Sequence, residues 1–147
     1  MRIAFDLDNM LIRCGHDFPL EKPQRRIWAK ILASEQLRQG VKKLTDFCCQ
    51  RSWQVWIYTT SCRSAWRIRC LFWLHDICPD GVVNQQRHDR EAQARYTQHP
   101  SSFGVDLLIN DPEGVGIEGE WHGFCVLVVA AKDAHWTEKV PAALDSF

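Results

Sequence analysis

Runs of hydrophobic residues alternate with mixed polar stretches along the chain, and these runs predict five strands. They are apolar or β-branched at consecutive positions, which is typical of strands covered on both faces of a sheet. The predicted strands are RIAFDL (2–7), WQVWIYTT (53–60), DGVVN (80–84), GVDLLIN (104–110) and GFCVLVVA (123–130). Strands that alternate with helices form a parallel sheet with helices on both faces. We therefore expect an α/β, Rossmann-like fold with a five-stranded parallel sheet.

The stretches between the strands carry apolar residues at helical spacing. Residues 23–36 have an apolar stripe at positions 27, 28, 31 and 32, and residues 40–51 repeat the pattern. Residues 64–77 predict a helix with Trp66, Cys70, Trp73 and Leu74 on one side. We expect most of the tryptophans to lie on core faces. Weaker patterns predict a helix at 90–98, a short helix at 111–122 and a helical or irregular tail at 133–147.

Length and charge narrow the class of protein. The chain has 147 residues, the size of one ordinary domain, and we expect a single domain over 1–147. Its 18 basic and 18 acidic residues cancel, so net charge gives no argument for nucleic acid or a membrane surface. No apolar run approaches the roughly 20 residues of a membrane span, and we expect no signal peptide, because the sequence opens on the first strand. We expect a cytoplasmic protein.

The seven cysteines do not form a recognisable metal site. They contain no Cys-x-x-Cys pair, the short spacing that cysteine-rich zinc ribbons use. Cys48, Cys70 and Cys125 lie in apolar stretches, and we expect them to be small core residues in a reducing compartment.

Polar residues cluster where three of the predicted strands end. They are Asp6 and Asp8 after the first, Thr59, Thr60 and Ser61 after the second, and Asn110 and Asp111 after the fourth. Ligands of parallel sheets bind beyond the carboxyl ends of the strands, so we expect these side chains at one edge. Carboxylates that converge repel each other unless protons are shared or a cation lies among them. Magnesium suits oxygen ligands and accepts phosphate oxygens, so the cluster indicates phosphoryl chemistry.

The same residues resemble motifs of the haloacid dehalogenase superfamily. FDLDNML (5–11) is similar to the Asp-x-Asp-x-Thr motif of its phosphatases, VWIYTTS (55–61) to the second motif, and LLINDPEGV (107–115) to the fourth. The motifs occur in the family's order across nearly the whole chain. The resemblance implies a Rossmann-like fold, and the short gaps between the motifs imply that no substantial cap is inserted.

The resemblance also implies an activity and a role for each residue. The chain is expected to hydrolyse phosphomonoesters with Mg²⁺, acting on a phosphorylated small molecule or macromolecule. Asp6 would be the nucleophile that forms an aspartyl-phosphate, and Asp8 the general acid and then the base. Asp6, the Asp8 main-chain carbonyl and Asp111 would hold the metal. Thr59 would hydrogen-bond the transferred phosphoryl group, and Thr60, Ser61 and Asn9 would bind substrate.

Three positions depart from the family's pattern. Met10 replaces the usual Thr or Val of the first motif, and Asn110 takes the first place of the acidic pair in the fourth. The third-motif lysine has no counterpart between Lys43 and Lys132. Arg87 is the first candidate for that cation, followed by Arg90 and Arg95, although arginine differs from lysine in geometry.

Two other functions stay open. A binding or regulatory protein of the same fold, with weakened or lost chemistry, is compatible with Met10 and the absent lysine. A nucleic-acid end-processing phosphatase, or a nucleic-acid binder, has support only from the tryptophans and arginines around the helix at 64–77. A site without a cap also leaves room for a homodimer. The residues concerned are Trp53, Trp56, Trp66, Trp73, Arg63, Arg67 and Arg69.

Overall fold

Five parallel strands form one sheet in the computed structural model, which describes residues 1–32, 35–91, 100–111 and 125–146. The strands are β1 (Arg2–Asp6), β2 (Gln54–Tyr58), β3 (Gly81–Val83), β4 (Leu107–Asn110) and β5 (Cys125–Val128). Their spatial order is β3-β2-β1-β4-β5, and every neighbouring pair is parallel. The predicted five-stranded parallel sheet is confirmed.

The order of the strands creates a crevice beside β1. From β1 the chain builds β2 and β3 on one side, then crosses to the other side to build β4 and β5. The carboxyl edge between β1 and β4 is therefore the topological switch point, where open α/β sheets bind their ligands. Asp6 ends β1 and Asn110 ends β4, so both lie at that crevice.

Five helices are described around the sheet. They are α1 (Arg26–Leu32), α2 (Val41–Gln50), α3 (Ala65–Leu74), α4 (Gln85–Glu91) and α5 (Trp136–Leu144). Gly40 precedes α2 with a left-handed backbone (φ 97°), which glycine adopts without strain. A Cβ atom at this position would collide with the Thr137 side chain of α5. Glycine therefore permits both the turn into α2 and the close packing of α2 on α5.

The two faces of the sheet carry separate hydrophobic clusters, because successive strand residues point to opposite sides. Ile3 and Phe5 belong to the larger cluster, to which α2, α3 and α5 contribute. Ala4 belongs to the smaller cluster, which includes Phe103 of a short 3₁₀ helix (Pro100–Phe103). The central strand is thus buried on both faces, as its uninterrupted apolar run predicts.

The tryptophans of α3 lie outside the core, so the expectation of core positions for Trp66 and Trp73 is wrong. Their side chains are 67% and 41% exposed, and α3 instead buries Ile68, Leu71, Phe72 and Leu74. The helix is apolar on both sides, so periodicity alone fits either face. Contact with the sheet selects the face with the branched aliphatic residues. Trp53 and Trp56 are half-buried and pack against the two clusters.

The apolar stripe of α1 is exposed as well. No residue of this helix is buried, and Ile27 and Ile31 are 76% and 71% exposed. Helix formation at 26–32 agrees with the predicted helix, but the stripe faces solvent. Of the three cysteines expected in the core, Cys48 is buried and Cys70 is half-buried. Cys125 is exposed on the edge strand, so that expectation is wrong.

Some predicted elements lie outside the described residues. The helix expected at 111–122 falls almost entirely within 112–124, and most of the helix expected at 90–98 falls within 92–99. The described helix α4 begins earlier, at Gln85. No described helix has the length and apolar character needed to cross a bilayer.

His75, at the end of α3, gives folding a testable pH dependence. The side chain is 2% exposed, and its Nδ1 atom has no hydrogen-bond partner among the described residues. Burial lowers the pKa of His75, so the unfolded chain binds the proton more readily. Its contribution to stability is full above the unfolded pKa of about 6.5 and is lost as pH falls. In urea titrations from about pH 8 to about pH 5, His75→Gln should lose less stability than the wild type does.

The exposed His135 supplies the matched control, because its side chain is 73% exposed. His135→Gln should keep the wild-type pH dependence. If the free energy of unfolding falls equally with pH in wild type and His75→Gln, the role assigned to His75 is wrong.

Candidate functional site

The candidate site lies where β1 and β4 end side by side. Phe5 pairs with Ile109 in the parallel register, so the next residues, Asp6 and Asn110, continue next to each other at the edge. Asp6 is 6% exposed and Asn110 is completely buried. Asp111 follows directly, and its charge acts on Asp6. The structure therefore brings together the carboxylates that the sequence places more than a hundred residues apart.

Burial makes the Asp6 carboxylate costly to ionise. Loss of solvent raises its pKa from 3.8 to about 8, and the neighbouring charges of Asp8 and Asp111 add to the rise. A hydrogen bond from the Leu7 backbone acts in the opposite direction. Burial also raises the pKa of Asp111, against the charges of His16 and Arg38. A positive charge placed among these groups would restore their ionised forms.

A tight turn after β1 places Asp8 at the same edge. Asn9 adopts a left-handed backbone (φ 62°), a conformation that asparagine tolerates better than most residues. The backbone N–H groups of Leu11 and Ile12 both donate to the Leu7 carbonyl, at 3.0 and 2.9 Å. These bonds close the turn that directs the chain away from the sheet directly after Asp8.

Two side chains from the segment after β2 hold the Asp8 carboxylate. Thr59, which is 1% exposed, donates its hydroxyl to Asp8 Oδ2 at 3.2 Å. Arg63 donates from Nη1 to Asp8 Oδ1 at 2.7 Å. Thr59 Oγ1 also accepts a hydrogen bond from the Ser61 backbone at 3.1 Å. The first and second motifs are therefore joined by direct contacts.

The sequence analysis named Arg63 only for a nucleic-acid surface and missed its contact with Asp8. Its second terminal nitrogen pairs with Glu35 at 2.7 Å, so the guanidinium bridges two carboxylates. Burial alone would lower the pKa of Arg63, but Glu35 and Asp8 raise it above its ordinary value. Asn84 anchors the Arg63 backbone carbonyl through a 2.8 Å hydrogen bond. The available signal was a basic residue four positions after Thr59, in the segment just before α3.

The expected third-motif arginines have other described contacts. The Arg87 guanidinium donates to the Val82 carbonyl at 3.2 Å and lies over the rings of Trp56 and Phe103. No described contact joins it to Asp6 or Asp8. Arg90 is exposed and donates to the Gln86 carbonyl at 3.1 Å, whereas Arg95 lies outside the described residues. The described arginine on the carboxylates is therefore Arg63.

Met10 and Asn110, which depart from the family's first and fourth motifs, have structural roles. The Met10 side chain is completely buried in the larger cluster, with its sulfur 3.9 Å from Nη1 of Arg38. Asn110 Oδ1 accepts the Asp111 backbone N–H at 2.7 Å, which orients the following carboxylate. Met10 therefore serves packing, and Asn110 fixes the local chain at Asp111.

Buried polar atoms without partners lie on the predicted substrate-binding residues. Asn9 Oδ1 and Ser61 Oγ have no hydrogen-bond partner within the part of the chain that the structure describes. A buried polar atom without a partner carries a desolvation cost. A bound cation or a donor group would remove it at the Asn9 oxygen, and a phosphate oxygen would remove it at the Ser61 hydroxyl by accepting its hydrogen bond. Thr60, the third predicted contact, is exposed at the same edge.

The donor set fits a hard divalent cation. In the ligand set that the resemblance implies, Asp6 and Asp111 would supply carboxylates, and the Asp8 main chain would supply a carbonyl. Only two of these groups are acidic side chains, and no cluster of three His, Cys, Asp or Glu side chains suited to a metal occurs among the described residues. Magnesium tolerates such a sparse protein shell because it keeps several of its waters. The charge of such an ion would offset the cost of burying the Asp6 carboxylate.

Comparisons with known proteins identify similar structures but no similar sequences. No protein-family model matches the chain, and no curated protein matches it. One similar structure is a chain of the Pnkp1/Rnl/Hen1 complex, with 14% identity, a TM-score of 0.59 and 90% of this chain covered. This match covers 47% of that chain, so the present chain spans about half its length.

Two further structures match over most of both chains. A HAD-superfamily hydrolase, subfamily IA, from Geobacter sulfurreducens PCA shares 14% identity with a TM-score of 0.55, over 86% of this chain and 88% of that one. A HAD-like family hydrolase from Porphyromonas gingivalis shares 12% identity with a TM-score of 0.53, over 97% of both. At these identities the similarity is one of fold.

Replacing Asp6 should reveal the cost of its buried carboxylate. The raised folded-state pKa means that metal-free protein loses stability as pH rises from about 4 toward about 8, because only the unfolded state ionises freely. Asp6→Asn removes that loss. In EDTA near pH 8, the variant should melt several degrees higher than wild type, and the gap should shrink near pH 4.

Added Mg²⁺ should reverse the order of the two melting temperatures, because it should stabilise the wild type and leave Asp6→Asn unchanged. Asp46→Asn, a half-exposed carboxylate on α2 paired with Lys42, is the control and should show neither effect. A variant that melts below the wild type in EDTA at both pH values would contradict this account.

Proposed function

We propose that this chain, which has the fold of the HAD-superfamily hydrolases, is a Mg²⁺-dependent phosphomonoester hydrolase that acts through an aspartyl-phosphate on Asp6. The observation that carries the proposal is the buried Asp6 carboxylate, coupled to Asp8 and Asp111 at the switch point of the sheet. Such convergence is electrostatically unfavourable without a cation and a bound anion. Three separate strand ends supply the groups that phosphoryl transfer needs.

In the proposed mechanism, Asp6 attacks the phosphorus atom of the substrate. A bond from the Asp6 carboxylate oxygen to phosphorus forms, and the bond to the leaving oxygen breaks. Asp8 gives its proton to the leaving oxygen as general acid. Mg²⁺ bound by Asp6, the Asp8 carbonyl and Asp111 would supply positive charge that keeps Asp6 ionised and neutralises the phosphate oxygens.

The second half-reaction hydrolyses the aspartyl-phosphate. Asp8, now a carboxylate, takes a proton from water, and the oxygen of that water attacks phosphorus. The Asp6 carboxylate and inorganic phosphate are released. Arg63 stabilises the carboxylate form of Asp8 that this step requires, through the 2.7 Å hydrogen bond. Thr59 limits the movement of the same side chain.

The hydroxyl-rich segment after β2 would bind the phosphate. Thr59 already donates to Asp8 and accepts from the Ser61 backbone, so its hydroxyl is engaged. The Ser61 hydroxyl is buried without a described partner and is therefore able to donate to a phosphate oxygen. Asn9, which directly follows Asp8, offers its side-chain amide, and Thr60 is exposed at the carboxyl edge of the sheet.

A second candidate function is a binding or regulatory protein of the same fold with lost chemistry. The observation that favours it is the position of Arg87, whose guanidinium donates to the Val82 carbonyl and lies over the rings of Trp56 and Phe103. Met10, packed in the core, also leaves the first motif without its hydroxyl. Such a protein would bind phosphate or metal without turnover.

Turnover of p-nitrophenyl phosphate separates the two functions. Wild type should release phosphate with Mg²⁺ and lose this activity in EDTA. Asp6→Asn should lower kcat by at least about 10³-fold, because no other residue replaces the nucleophile. Asp46→Asn should retain wild-type activity. Absence of turnover in wild type, or full activity in Asp6→Asn, would refute the proposed mechanism.

Substitution of Arg63 should slow the second half-reaction more than the first. Arg63→Gln removes the charge that favours the Asp8 carboxylate, so kcat should fall by roughly 10- to 100-fold with little change in KM. Phosphorylated enzyme should accumulate in acid-quenched samples, and the acidic limb of the kcat–pH profile should move upward.

Arg63→Lys keeps the charge and should recover part of the rate. Arg69→Gln, an exposed arginine on α3 that donates to the Pro79 carbonyl, is the control. An unchanged pH profile in Arg63→Gln would show that Arg63 acts only in folding.

A further inference from the structure

An exposed aromatic surface lies between α1 and α3. We call it the α1–α3 surface and define it by Trp28, Lys30, Trp66, Arg67 and Trp73. The three tryptophan side chains are 53%, 67% and 41% exposed, and α1 buries none of its residues. Exposed apolar area on this scale marks an interaction site in soluble proteins.

The charged residues that line the two grooves beside this surface are mostly basic. A groove of about 650 Å³ lies along α1, and a smaller one runs between α1 and α3. Among the described residues that line these grooves, one is acidic, namely Glu35, which pairs with Arg63. Arg13 is also paired, with exposed Asp17. The basic lining residues are Arg13, Lys22, Arg26, Lys30, Arg63 and Arg67. Since the whole chain has a net charge of zero, this excess is local and favours an anionic partner.

The tryptophans are grouped on one side of α3. Trp66 and Trp73 are seven residues apart on α3, which puts them on one side of the helix and about 10 Å apart along its axis. The Trp28 ring packs edge-on against Trp73 at 6.4 Å, and the Arg25 guanidinium covers Trp73 at 4.2 Å. Aromatic rings next to arginines are the surfaces on which unpaired bases stack.

The surface is continuous with the candidate site. The groove between the two helices is lined by Leu7, Arg63 and Trp66. Leu7 lies between Asp6 and Asp8 in the sequence, and Arg63 hydrogen-bonds Asp8. A strand whose end occupies the site would pass Arg63 on its way to Trp66.

We propose that the α1–α3 surface binds single-stranded nucleic acid and presents its terminal phosphate to Asp6. This inference rests on the proposed function, for which it names the substrate class. Hydrolysis breaks the bond between phosphorus and the terminal sugar oxygen, consumes water, and leaves a hydroxyl end and inorganic phosphate. A second copy of the chain fits less well, since a symmetric dimer would bring this basic surface against itself.

The test measures binding of labelled DNA and RNA oligonucleotides of about eight nucleotides, with a phosphate at the 5′ end, the 3′ end or neither. Affinity should fall steeply with salt, with a slope near −0.7 for each phosphate contacted. Trp66→Ala should weaken binding by roughly tenfold. Lys30→Glu and Arg67→Glu should reduce the salt slope. Lys43→Glu, an exposed lysine on α2, is the control and should bind as wild type does.

Kinetics with two substrates distinguish this inference from the proposed function. Trp66→Ala should lower kcat/KM for the phosphorylated oligonucleotide and leave p-nitrophenyl phosphate turnover unchanged. Wild type that hydrolyses p-nitrophenyl phosphate but binds no oligonucleotide at low salt would overturn the nucleic-acid proposal alone. Oligonucleotide binding without any turnover would overturn the proposed function and retain the binding surface.

Two further outcomes would also overturn the surface assignment. One is a wild-type dimer in sedimentation that Trp28→Ala converts to monomer, because the surface would then bind a second copy. The other is equal oligonucleotide affinity in wild type, Trp66→Ala and Lys30→Glu, because the binding would then lie elsewhere. Comparing the affinities of DNA with RNA, and of 5′ with 3′ phosphates, identifies which strand end the surface binds.

Discussion

The burial of the Asp6 carboxylate beside Asp111 is the constraint on which the rest of the site depends. Two adjacent parallel strands end in acidic groups, and the sheet holds them together whether or not their charges are compensated. The surrounding chain keeps this arrangement with a closed turn after β1, a buried threonine after β2 and an asparagine bond behind Asp111. The buried carboxylate lowers the stability of the folded protein, a cost that is common where a protein maintains a functional site.

The sheet and the edge that carries the acidic groups were predictable from the sequence. Continuous apolar runs specify buried parallel strands, and the switch-point rule collects their terminal residues. The buried face of α3 was not predictable, since that helix is apolar on both sides and only the sheet decides which side it contacts. The cation on Asp8 was also missed. Arg63 reaches Asp8 across 55 positions of sequence, a contact that no local pattern encodes.

The net charge of the chain is zero, but its charged side chains are unevenly distributed over the folded protein. Acidic side chains concentrate at the sheet edge, and basic side chains line the grooves beside α1 and α3. Composition alone gives no argument for a polyanionic partner, whereas the local excess of basic side chains is the basis of the proposed one. Net charge therefore describes the long-range field of this protein but not the local field that a ligand meets within a Debye length of about 10 Å.

Glu35 faces both grooves and shares Arg63 with Asp8. Any occupant that draws Glu35 away leaves the Arg63 guanidinium wholly to Asp8. Thermodynamic reciprocity requires the converse: a ligand at the sheet edge that competes for Arg63 must change how tightly the adjacent groove holds its occupant. One arginine thus links occupancy of the groove to occupancy of the candidate site.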